Sequence, residues 1–447
     1  MQETDTICAL SSAPGRAGVA VIRISGPRAG ALLQRMCGAL PAARRAELRR
    51  IKDGPGGEVL DTGLVLWFVA PHSFTGEDVA ELHVHGGRAV IAGMLEALRS
   101  SGECRLAEPG EFARRAFENG KIDLTEAEGL ADLIEAETEA QRRQAVRQAD
   151  GALAQLYDGW REEAVSALAL VEAAIDFSDE ADVAADAVAR ATGIVGQLVP
   201  SLEVHLADGH RGEILREGFQ VVIAGSPNVG KSSLLNALAR REAAIVSAEA
   251  GTTRDVIEVR LDLDGLPIIV SDTAGIRTPG GEIEREGIRR TIARGREADL
   301  VLWVMDARVP EPDLPADLAG RASRTLWVLN KIDLVPPLSS REQRGGKEIR
   351  VSALTGAGLD DLSRRLAEIA REHIGSGESL VLTQARHREA LVDCVASLGS
   401  FLSGDTQHVE LRAEDLRRAV QALGRLTGRV DAELVLDRIF KRFCIGK

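Results

Sequence analysis

The chain has 447 residues, too many for a single compact core, and its length predicts about two to four domains. Its composition, 45% apolar and 28% charged, is typical of a soluble globular protein, and the net charge of −13 argues against a non-specific nucleic-acid binder but not against a local RNA-binding patch. No apolar run is long enough for a membrane span, and the acidic start MQETDTI has no signal-peptide core. Five scattered cysteines without a CxxC pair indicate a reducing cytoplasm.

The first part of the chain, residues 1–118, predicts an α+β domain with alternating or continuous apolar strands. The strand candidates are 18–25, 64–70 and 79–85, and the helix candidate is 90–100. In the first strand Arg23 lies on the face opposite Ile22. His83 and His85 share one strand face, but no third ligand is evident, so the sequence favours ordinary packing over a metal site.

Helical spacing dominates from about residue 121 and returns near the end of the chain. Asp123, followed three residues later by Glu126, has the form of a capping box, and apolar steps of three and four continue beyond it. We assign 119–216 and 374–447 to one helical domain, with a nucleotide-binding domain inserted between its two parts.

Residues 217–373 alternate strand and helix, as a P-loop α/β domain should. The strand candidates are 219–224, 256–263, 267–272, 299–305, 325–329 and 349–352. Asp264 and Gly265, between the second and third candidates, predict a tight hairpin turn. The sheet is therefore expected to be parallel except at one edge.

The octapeptide GSPNVGKS (225–232) stands between an apolar strand and a helix and fits the P-loop pattern G-x-x-x-x-G-K-[ST]. Gly225 and Gly230 let the backbone turn its N–H groups toward phosphate oxygens. Lys231 adds a positive charge near the β and γ phosphates, and the Ser232 hydroxyl is a suitable ligand for Mg²⁺. The loop therefore predicts a nucleotide site.

Four further motifs follow the P-loop in the order that a GTPase requires. They are GTTRD (251–255), DTAG (272–275), NKID (330–333) and SAL (352–354). Asp272 is expected to hold Mg²⁺ through water, and the Gly275 N–H to sense the γ-phosphate. Asp333 is expected to accept hydrogen bonds from the N1–H and N2 amine of guanine, which adenine cannot supply. The five motifs together predict a GTP hydrolase.

The residue that orients water in Ras-like enzymes is missing. The glutamine expected after the DTAG glycine is replaced by Ile276, which cannot polarise water. Asn228, in the P-loop, offers an amide oxygen that could hold a monovalent cation beside the phosphates. The alternative is that asparagine stands there for its turn preference.

Beyond these motifs, the chain resembles the MnmE (TrmE) family of bacterial tRNA-modification GTPases over essentially its whole length. The segments that carry the resemblance are GRAGVAVIRISG (15–26), SFTGEDVAELHVHGG (73–87), EPGEFARRAFENGKIDLTEAEGLADLI (108–134), REAAIVSAEAGTTRDVIE (241–258) and FCIGK (443–447). The resemblance implies an N-terminal α+β folate-binding and dimerisation domain, a helical domain and an inserted Ras-like G domain. It also implies a cytoplasmic homodimer.

The resemblance further implies a partner and a reaction. The homodimer would join the flavoprotein MnmG (GidA) in a heterotetramer and modify C5 of wobble uridine-34 in tRNA. The one-carbon unit would come from 5-formyl- or methylene-tetrahydrofolate, and the aminomethyl nitrogen from glycine or ammonium. GTP hydrolysis would require Mg²⁺ and be activated by K⁺.

Site residues follow from the matching motifs. The predicted GTP contacts are Asn228, Val229, Gly230, Lys231, Ser232, Ser233, Ser247, Ala248, Glu249, Ala250, Gly251, Thr252, Thr253, Asp272, Thr273, Ala274, Gly275, Asn330, Lys331, Asp333, Ser352, Ala353 and Leu354. The predicted ion ligands are Ser232 and Thr253 for Mg²⁺, and Asn228, Ser247, Glu249 and Thr252 for K⁺. The predicted folate contacts are Arg23, Glu81, Lys121 and Lys447, and the predicted catalytic residues are Lys231, Glu284 and Cys444.

Several of these assignments keep an alternative. Glu284 could be a solvated helix residue, Cys444 could serve only to pack the tail, and the charges assigned to folate could be surface ion pairs. Two other functions also stay open. One is a nucleotide-switched binding protein, such as a ribosome-assembly factor, and the other is a folate enzyme whose G domain is merely regulatory.

Overall fold

The computed structural model describes residues 5–177, 181–241, 257–272, 298–309, 324–336, 348–375, 382–405, 408–430, 433–441, 443 and 445–446. Within it the chain forms two compact units, each assembled from separate stretches of sequence. The first comprises Met1–Ala131, Arg147–Ala173 and Ala413–Lys447, and the second comprises Asp132–Val146 and Ala174–Arg412.

The first unit contains a six-stranded sheet in the order β3-β4-β5-β2-β1-β6. Its strands are β1 (Ile7–Leu10), β2 (Ala17–Ser25), β3 (Glu47–Lys52), β4 (Val59–Phe68), β5 (Val79–Gly86) and β6 (Arg105–Leu106). All neighbours pair antiparallel except β1 and β6, which are parallel. Three of the strands, β2, β4 and β5, were predicted from their apolar patterns.

The alternation in β2 decides which face of this sheet is covered. Ala20, Ile22 and Ile24 are buried, whereas Val19 is 58% exposed. Helices α1 (Ala29–Cys37) and α2 (Arg88–Ser100) contribute apolar side chains to the same core. The opposite face carries Arg23 beside a smaller apolar cluster that includes Ile7, Ala9 and Phe112.

Helices complete the first unit. They are α3 (Glu111–Glu118), α4 (Leu124–Glu135), most of α6 (Ala152–Asp176) and of α11 (Val409–Thr427), and α12 (Glu433–Phe440). The predicted capping box starts α4: Asp123 Oδ1 accepts from the Glu126 N–H at 2.8 Å, and Glu126 Oε2 accepts from the Asp123 N–H at 2.7 Å. Phe440 and Phe443 close a small core shared with α3 and α4.

The second unit contains a six-stranded sheet in the order β12-β11-β10-β7-β9-β8. Its strands are β7 (Phe219–Ala224), β8 (Ile257–Leu263), β9 (Leu266–Asp272), β10 (Leu300–Asp306), β11 (Thr325–Asn330) and β12 (Glu348–Arg350). The sheet is parallel except for the β8–β9 hairpin, as predicted. At its turn Asp264 and Gly265 have φ of 55° and 80°, the left-handed conformations that an Asp-Gly turn supplies.

Helices pack around this sheet and extend from it. They are α5 (Glu139–Ala149), α7 (Ala181–Glu217), α8 (Lys231–Arg241), α9 (Leu359–Ile374) and α10 (Ala385–Ser403). α7 is 37 residues long and contains Pro200. Apolar residues of α8 and α9 share one core with the strands, so the sheet is held rigidly behind the loops that follow its strands.

Candidate functional site

The carboxyl ends of four neighbouring strands place the predicted nucleotide residues at one edge of the second sheet. β7 ends at Ala224 before the P-loop, β9 ends at Asp272, β10 ends at Asp306 and β11 ends at Asn330. In an open parallel sheet ligands bind at this edge, where the strand order reverses. That reversal lies at β7, which stands between β10 and β9.

The P-loop has the backbone geometry of a phosphate cradle. Gly230 has φ of +97°, and a Cβ built there would lie 2.4 Å from Asn330 Nδ2, so a larger residue would displace the amide that bonds the Val229 carbonyl. Asn228 has φ of +63°, a left-handed conformation that asparagine adopts more readily than most residues. The conformation thus gives Asn228 a structural reason to be there, independent of any cation.

Lys231 and Ser232 stand at the start of α8, where the loop becomes helix. Lys231 Nζ donates to the carbonyl oxygens of Gly225 and Ser226, both at 3.0 Å. Burial lowers the pKa of Lys231, and the Asp272 carboxylate partly offsets that effect. Ser232 Oγ donates to Asp272 Oδ2 at 2.5 Å, so the predicted Mg²⁺ ligand and its carboxylate are already adjacent. Oxygen donors of this kind are those that Mg²⁺ prefers.

Asn330 joins three of the predicted motifs. It is 2% exposed, its Nδ2 donates to the Val229 carbonyl at 2.9 Å, and its Oδ1 accepts from the Ala353 N–H at 3.0 Å. Ser352 Oγ donates to Asp333 Oδ1 at 2.5 Å, which holds that carboxylate at the predicted base site. The P-loop, NKID and SAL segments therefore form one connected set of hydrogen bonds.

The sequence analysis missed Asp306, which also belongs to this set. Its Oδ2 lies 2.9 Å from Lys331 Nζ, which in turn donates to the Asn228 carbonyl at 2.6 Å. Arg308 donates hydrogen bonds to the same carboxylate. Asp306 belongs to none of the five motifs. The only sequence signal was an acidic residue closing an apolar strand, with an arginine two positions on.

The structure describes part of the predicted nucleotide site. The described members are Asn228, Val229, Gly230, Lys231, Ser232, Ser233, Asp272, Asn330, Lys331, Asp333, Ser352, Ala353 and Leu354. The members outside the described residues are Ser247, Ala248, Glu249, Ala250, Gly251, Thr252, Thr253, Thr273, Ala274, Gly275 and Glu284. Ile276, and the tail residues Cys444 and Lys447, also lie outside them.

A second polar cluster lies on the face of the first sheet that α1 and α2 do not cover. Arg23 in β2 stands opposite Glu81 in β5, and its Nε and Nη2 lie 3.0 and 2.9 Å from Glu81 Oε1. His83 Nε2 lies 3.1 Å from Glu81 Oε2. The Arg23 guanidinium also lies 5.5 Å from the ring centre of Phe74 and 5.7 Å from that of Phe112. Neither aromatic residue was singled out in the sequence.

This geometry changes how the folate residues relate to each other. Arg23 and Glu81 are two of the predicted folate contacts. Their side chains form one ion pair, each 20% exposed or less, so they offer a single polar surface. Lys121 Nζ donates to the Pro71 carbonyl at 3.0 Å, on the loop that also carries Phe74.

The C-terminal tail reaches the same sheet. Ser11 Oγ, just after β1, donates to the Gly446 carbonyl at 2.7 Å, and Ile445 makes an antiparallel bridge with Pro109. The neighbouring register pairs Ala9 of β1 with Arg23. The tail therefore docks against the strand beside Arg23, which brings residues adjacent to Lys447 toward the predicted folate contacts.

Fold and site together define a P-loop GTP hydrolase. Two family models match the chain: the TrmE N-terminus of GTP-binding proteins over residues 6–121, and the MnmE helical domain over residues 124–444. The protein named tRNA modification GTPase MnmE of Paramagnetospirillum magneticum is 54% identical over 446 residues, covering 99% of this chain and 100% of its own. That of Rhodospirillum rubrum is 53% identical, with 99% of both chains covered. The chain belongs to the MnmE family.

Among solved structures, the G domain of the T. maritima FeoB iron transporter is 28% identical, with 34% of this chain and 98% of that chain covered and a TM-score of 0.27. Within the described residues, no helix combines the length and apolar character needed to cross a membrane. The described residues likewise contain no group of three or more His, Cys, Asp or Glu side chains arranged to hold a metal ion.

Proposed function

We propose that this chain is a K⁺-activated GTP hydrolase that acts in tRNA modification. With a flavoprotein partner of the MnmG type, it would direct folate-dependent addition of an aminomethyl or carboxymethylaminomethyl group at C5 of wobble uridine-34. The observation that carries the proposal is the likeness, 54% over essentially the full chain, to a protein named for tRNA modification. The connected P-loop, NKID and SAL segments support the hydrolase part.

In the proposed nucleotide site several of the described residues have defined tasks. Lys231, which already donates to two P-loop carbonyls, would turn its ammonium to the β and γ phosphates. Ser232 and Thr253 would ligate Mg²⁺, which neutralises charge on the phosphates. Asp272, whose Oδ2 lies 2.5 Å from Ser232 Oγ, would hold the ion through water. Asp333, oriented by Ser352, would read the guanine N1–H and N2 amine.

Activation by K⁺ is proposed through Asn228, Ser247, Glu249 and Thr252, with Glu284 positioning the attacking water. A monovalent cation there would supply positive charge where an arginine finger acts in other GTPases. Of these residues the structure describes Asn228, whose left-handed backbone suits both asparagine and glycine. A cation role must therefore be separated from a conformational one by experiment.

The matched variants are Asn228→Gly, which keeps the left-handed backbone and removes the amide, and Asn228→Ala, which removes both. We expect GTP hydrolysis by the wild type to be faster in KCl than in NaCl, and both variants to lose that difference while still binding fluorescent GDP. If Asn228→Gly keeps the K⁺ stimulation, the side chain is not a ligand. Equal rates of GTP hydrolysis by the wild type in KCl and NaCl would refute the proposal of K⁺ activation.

Folate binding is proposed at Arg23, Glu81, Lys121 and Lys447. The ion pair of Arg23 with Glu81, flanked by aromatic rings, offers charge and stacking surfaces in one place. We expect calorimetry with 5-formyl-tetrahydrofolate to give saturable binding that Arg23→Ala abolishes. Arg99→Ala, which breaks an exposed i,i+3 pair with Glu96 on α2, is the matched control and should bind normally.

The test of the whole proposal is mass analysis of wobble uridine in tRNA from cells lacking the protein. We expect unmodified uridine at position 34, restored by the wild type and not by Asp333→Asn. Restoration by Asp333→Asn would mean that the nucleotide domain is only regulatory. Normal modification in the deletion strain would favour a nucleotide-switched binding protein. The role of Cys444 would be tested by expressing Cys444→Ser in the same strain. The homodimer and its complex with the flavoprotein would be tested by light scattering of the mixed proteins.

A further inference from the structure

The feature that the motifs leave unexplained is the carboxylate of Asp306. β10 lies between β7, which leads into the P-loop, and β11, which leads into NKID, and Asp306 stands directly opposite Asn330 in the register. Its side chain is 15% exposed. Four donor atoms converge on it, three from Arg308 and one from Lys331.

Arg308 fixes the direction of this carboxylate. Its backbone N–H and Nε donate to Asp306 Oδ1 at 3.0 and 2.9 Å, and its Nη2 donates to Oδ2 at 2.6 Å. Such a two-pronged arginine contact restricts both position and rotation. The same hydrogen bonds from Arg308 hold the pKa of Asp306 well below its usual range, so the group is ionised at neutral pH.

Lys331 links the Asp306 carboxylate to the P-loop. Its ammonium spans the Asp306 carboxylate, at 2.9 Å, and the Asn228 carbonyl, at 2.6 Å. The Lys331 backbone is left-handed, with φ of +65°, which is costly for a side chain with a Cβ.

We propose that Asp306 is a positioning residue for guanine-nucleotide binding. It holds the Lys331 ammonium against the P-loop, so that the base-reading segment and the phosphate cradle keep one fixed spacing, and Arg308 in turn holds Asp306. The inference rests on the proposed guanine site. It adds Asp306 and Arg308 to the determinants of nucleotide affinity.

The alternative is that Asp306 and Lys331 form an ordinary surface ion pair, which contributes little to stability or to nucleotide affinity. The two explanations predict different effects of mutation. An ordinary surface pair affects the affinity for nucleotide no more than other pairs of the same domain do. A positioning carboxylate changes affinity only through Lys331, so its effect must vanish once Lys331 is removed.

The central experiment is stopped-flow dissociation of N-methylanthraniloyl-GDP from the full-length protein. We expect Asp306→Asn to accelerate dissociation by about 10-fold, the lower end for a hydrogen bond to a charged group, because the site is partly exposed. The KM for GTP should rise by a similar factor, and kcat should fall much less. In a Lys331→Met background, Asp306→Asn should add less than about twofold.

Two variants keep the experiment decisive. Arg364→Ala breaks the exposed pair with Asp361 on α9 and should leave dissociation unchanged. Asp333→Asn tests the guanine site itself, and if it does not weaken GDP binding, the proposed site fails irrespective of Asp306. If Asp333→Asn weakens binding but Asp306→Asn changes dissociation less than twofold, or acts additively with Lys331→Met, the positioning role is overturned.

A second inference comes from an unrelated observation in the first unit. The Sγ atoms of Cys8 and Cys104 lie 3.6 Å apart, and both are free thiols. Cys8 is fully buried in β1, and Cys104 directly precedes β6, which pairs with β1. Cys104 is partly exposed, so a small oxidant can reach it. Closing the bond needs the sulfurs to approach to about 2 Å.

We infer that Cys8 and Cys104 form an oxidisable dithiol that a peroxide converts to an intramolecular disulfide. The Cys104 thiolate attacks one peroxide oxygen, the O–O bond breaks, and the sulfenic acid and an alcohol or water form. The Cys8 thiol then attacks that sulfur, losing its proton as water leaves. Cys104 is the partly exposed member of the pair and Cys8 is buried, which assigns Cys104 as the first nucleophile.

Mass spectrometry of the full chain after treatment with hydrogen peroxide, alkylation and non-reducing digestion tests this inference. We expect a cross-linked peptide pair lighter by two hydrogen atoms that contains Cys8 and Cys104. In Cys8→Ser, Cys104 should instead accumulate as a sulfenic acid trapped by dimedone. Recovery of Cys8 and Cys104 as separate alkylated or over-oxidised peptides in the wild type would overturn the inference.

Discussion

Substituting Gly446 by alanine is expected to release the C-terminal tail. Gly446 has φ of +100°, and a Cβ built there would lie 2.1 Å from the Leu10 carbonyl oxygen. That oxygen belongs to the backbone of β1, where Leu10 pairs with Ile22 of β2. The strand cannot yield as a flexible side chain would, so the tail must move instead.

The size of the effect follows from the contacts that are lost. Left-handed strain at a residue with a Cβ costs about 1 kcal/mol. Loss of the Ser11–Gly446 hydrogen bond and of the Ile445–Pro109 bridge removes about 1 kcal/mol each. A sum of about 3 kcal/mol corresponds to roughly a 100-fold shift from the docked toward the undocked tail.

The assay is hydrogen exchange of the peptide that covers the tail, followed by mass spectrometry. We expect exchange in Gly446→Ala to be faster by about 100-fold than in the wild type, with little change in the urea midpoint of the whole protein. Gly38→Ala is the matched control, because Gly38 has φ of +86° and open space around its position. That variant carries the strain without the clash. Equal tail exchange in wild type and Gly446→Ala would refute the reasoning.

Three further outcomes are expected. Asp333→Asn should raise the KM for GTP by at least about 100-fold and allow xanthosine triphosphate to be hydrolysed, because an amide donates where the carboxylate accepted. Steady-state kinetics with both nucleotides check this, and an unchanged preference for GTP would contradict it. Asp123→Ala should lower the free energy of unfolding by about 1 kcal/mol through loss of the α4 cap, measured by urea denaturation against an exposed control, Ser166→Ala. Burial, helped by the nearby His387, lowers the pKa of His205 to about 4 from 6.5. The unfolded chain therefore binds a proton that the folded chain does not, and stability present above pH 6.5 is lost as the pH falls toward 4, by about 3 kcal/mol in all. Urea midpoints at pH 7 and pH 5 test this, and His205→Gln should flatten the difference.

Much of the second sheet could be predicted because its strands are buried on both faces. Such strands are continuous apolar runs, as β9 and β10 are, and a run of that kind is visible in sequence without knowledge of its neighbours. The hairpin turn at Asp264 and Gly265 is equally local. The capping box at Asp123 also needs only residues three apart, and all three features are present as predicted.

The missed features depend on contacts distant in sequence. β3 has the sequence ELRRIK, whose charges conceal a strand at the edge of a sheet. Phe74 and Phe112 surround Arg23 only after the loop and α3 have folded against β2. The link between Asp306 and Lys331 joins the ends of two strands whose pairing no local pattern encodes.

The division of the first unit into three stretches has a consequence for the order in which the protein matures. The second unit is complete in sequence at Arg412, whereas the first still lacks Ala413–Lys447. Chains emerge from the ribosome amino end first, so the nucleotide-binding unit can fold before the first unit is complete. The first unit still requires its last helices and the tail that contacts Ser11, just after β1. The polar cluster beside Arg23 is therefore completed only after residues 413–446 have been made, and folding of the nucleotide-binding unit is expected to precede it.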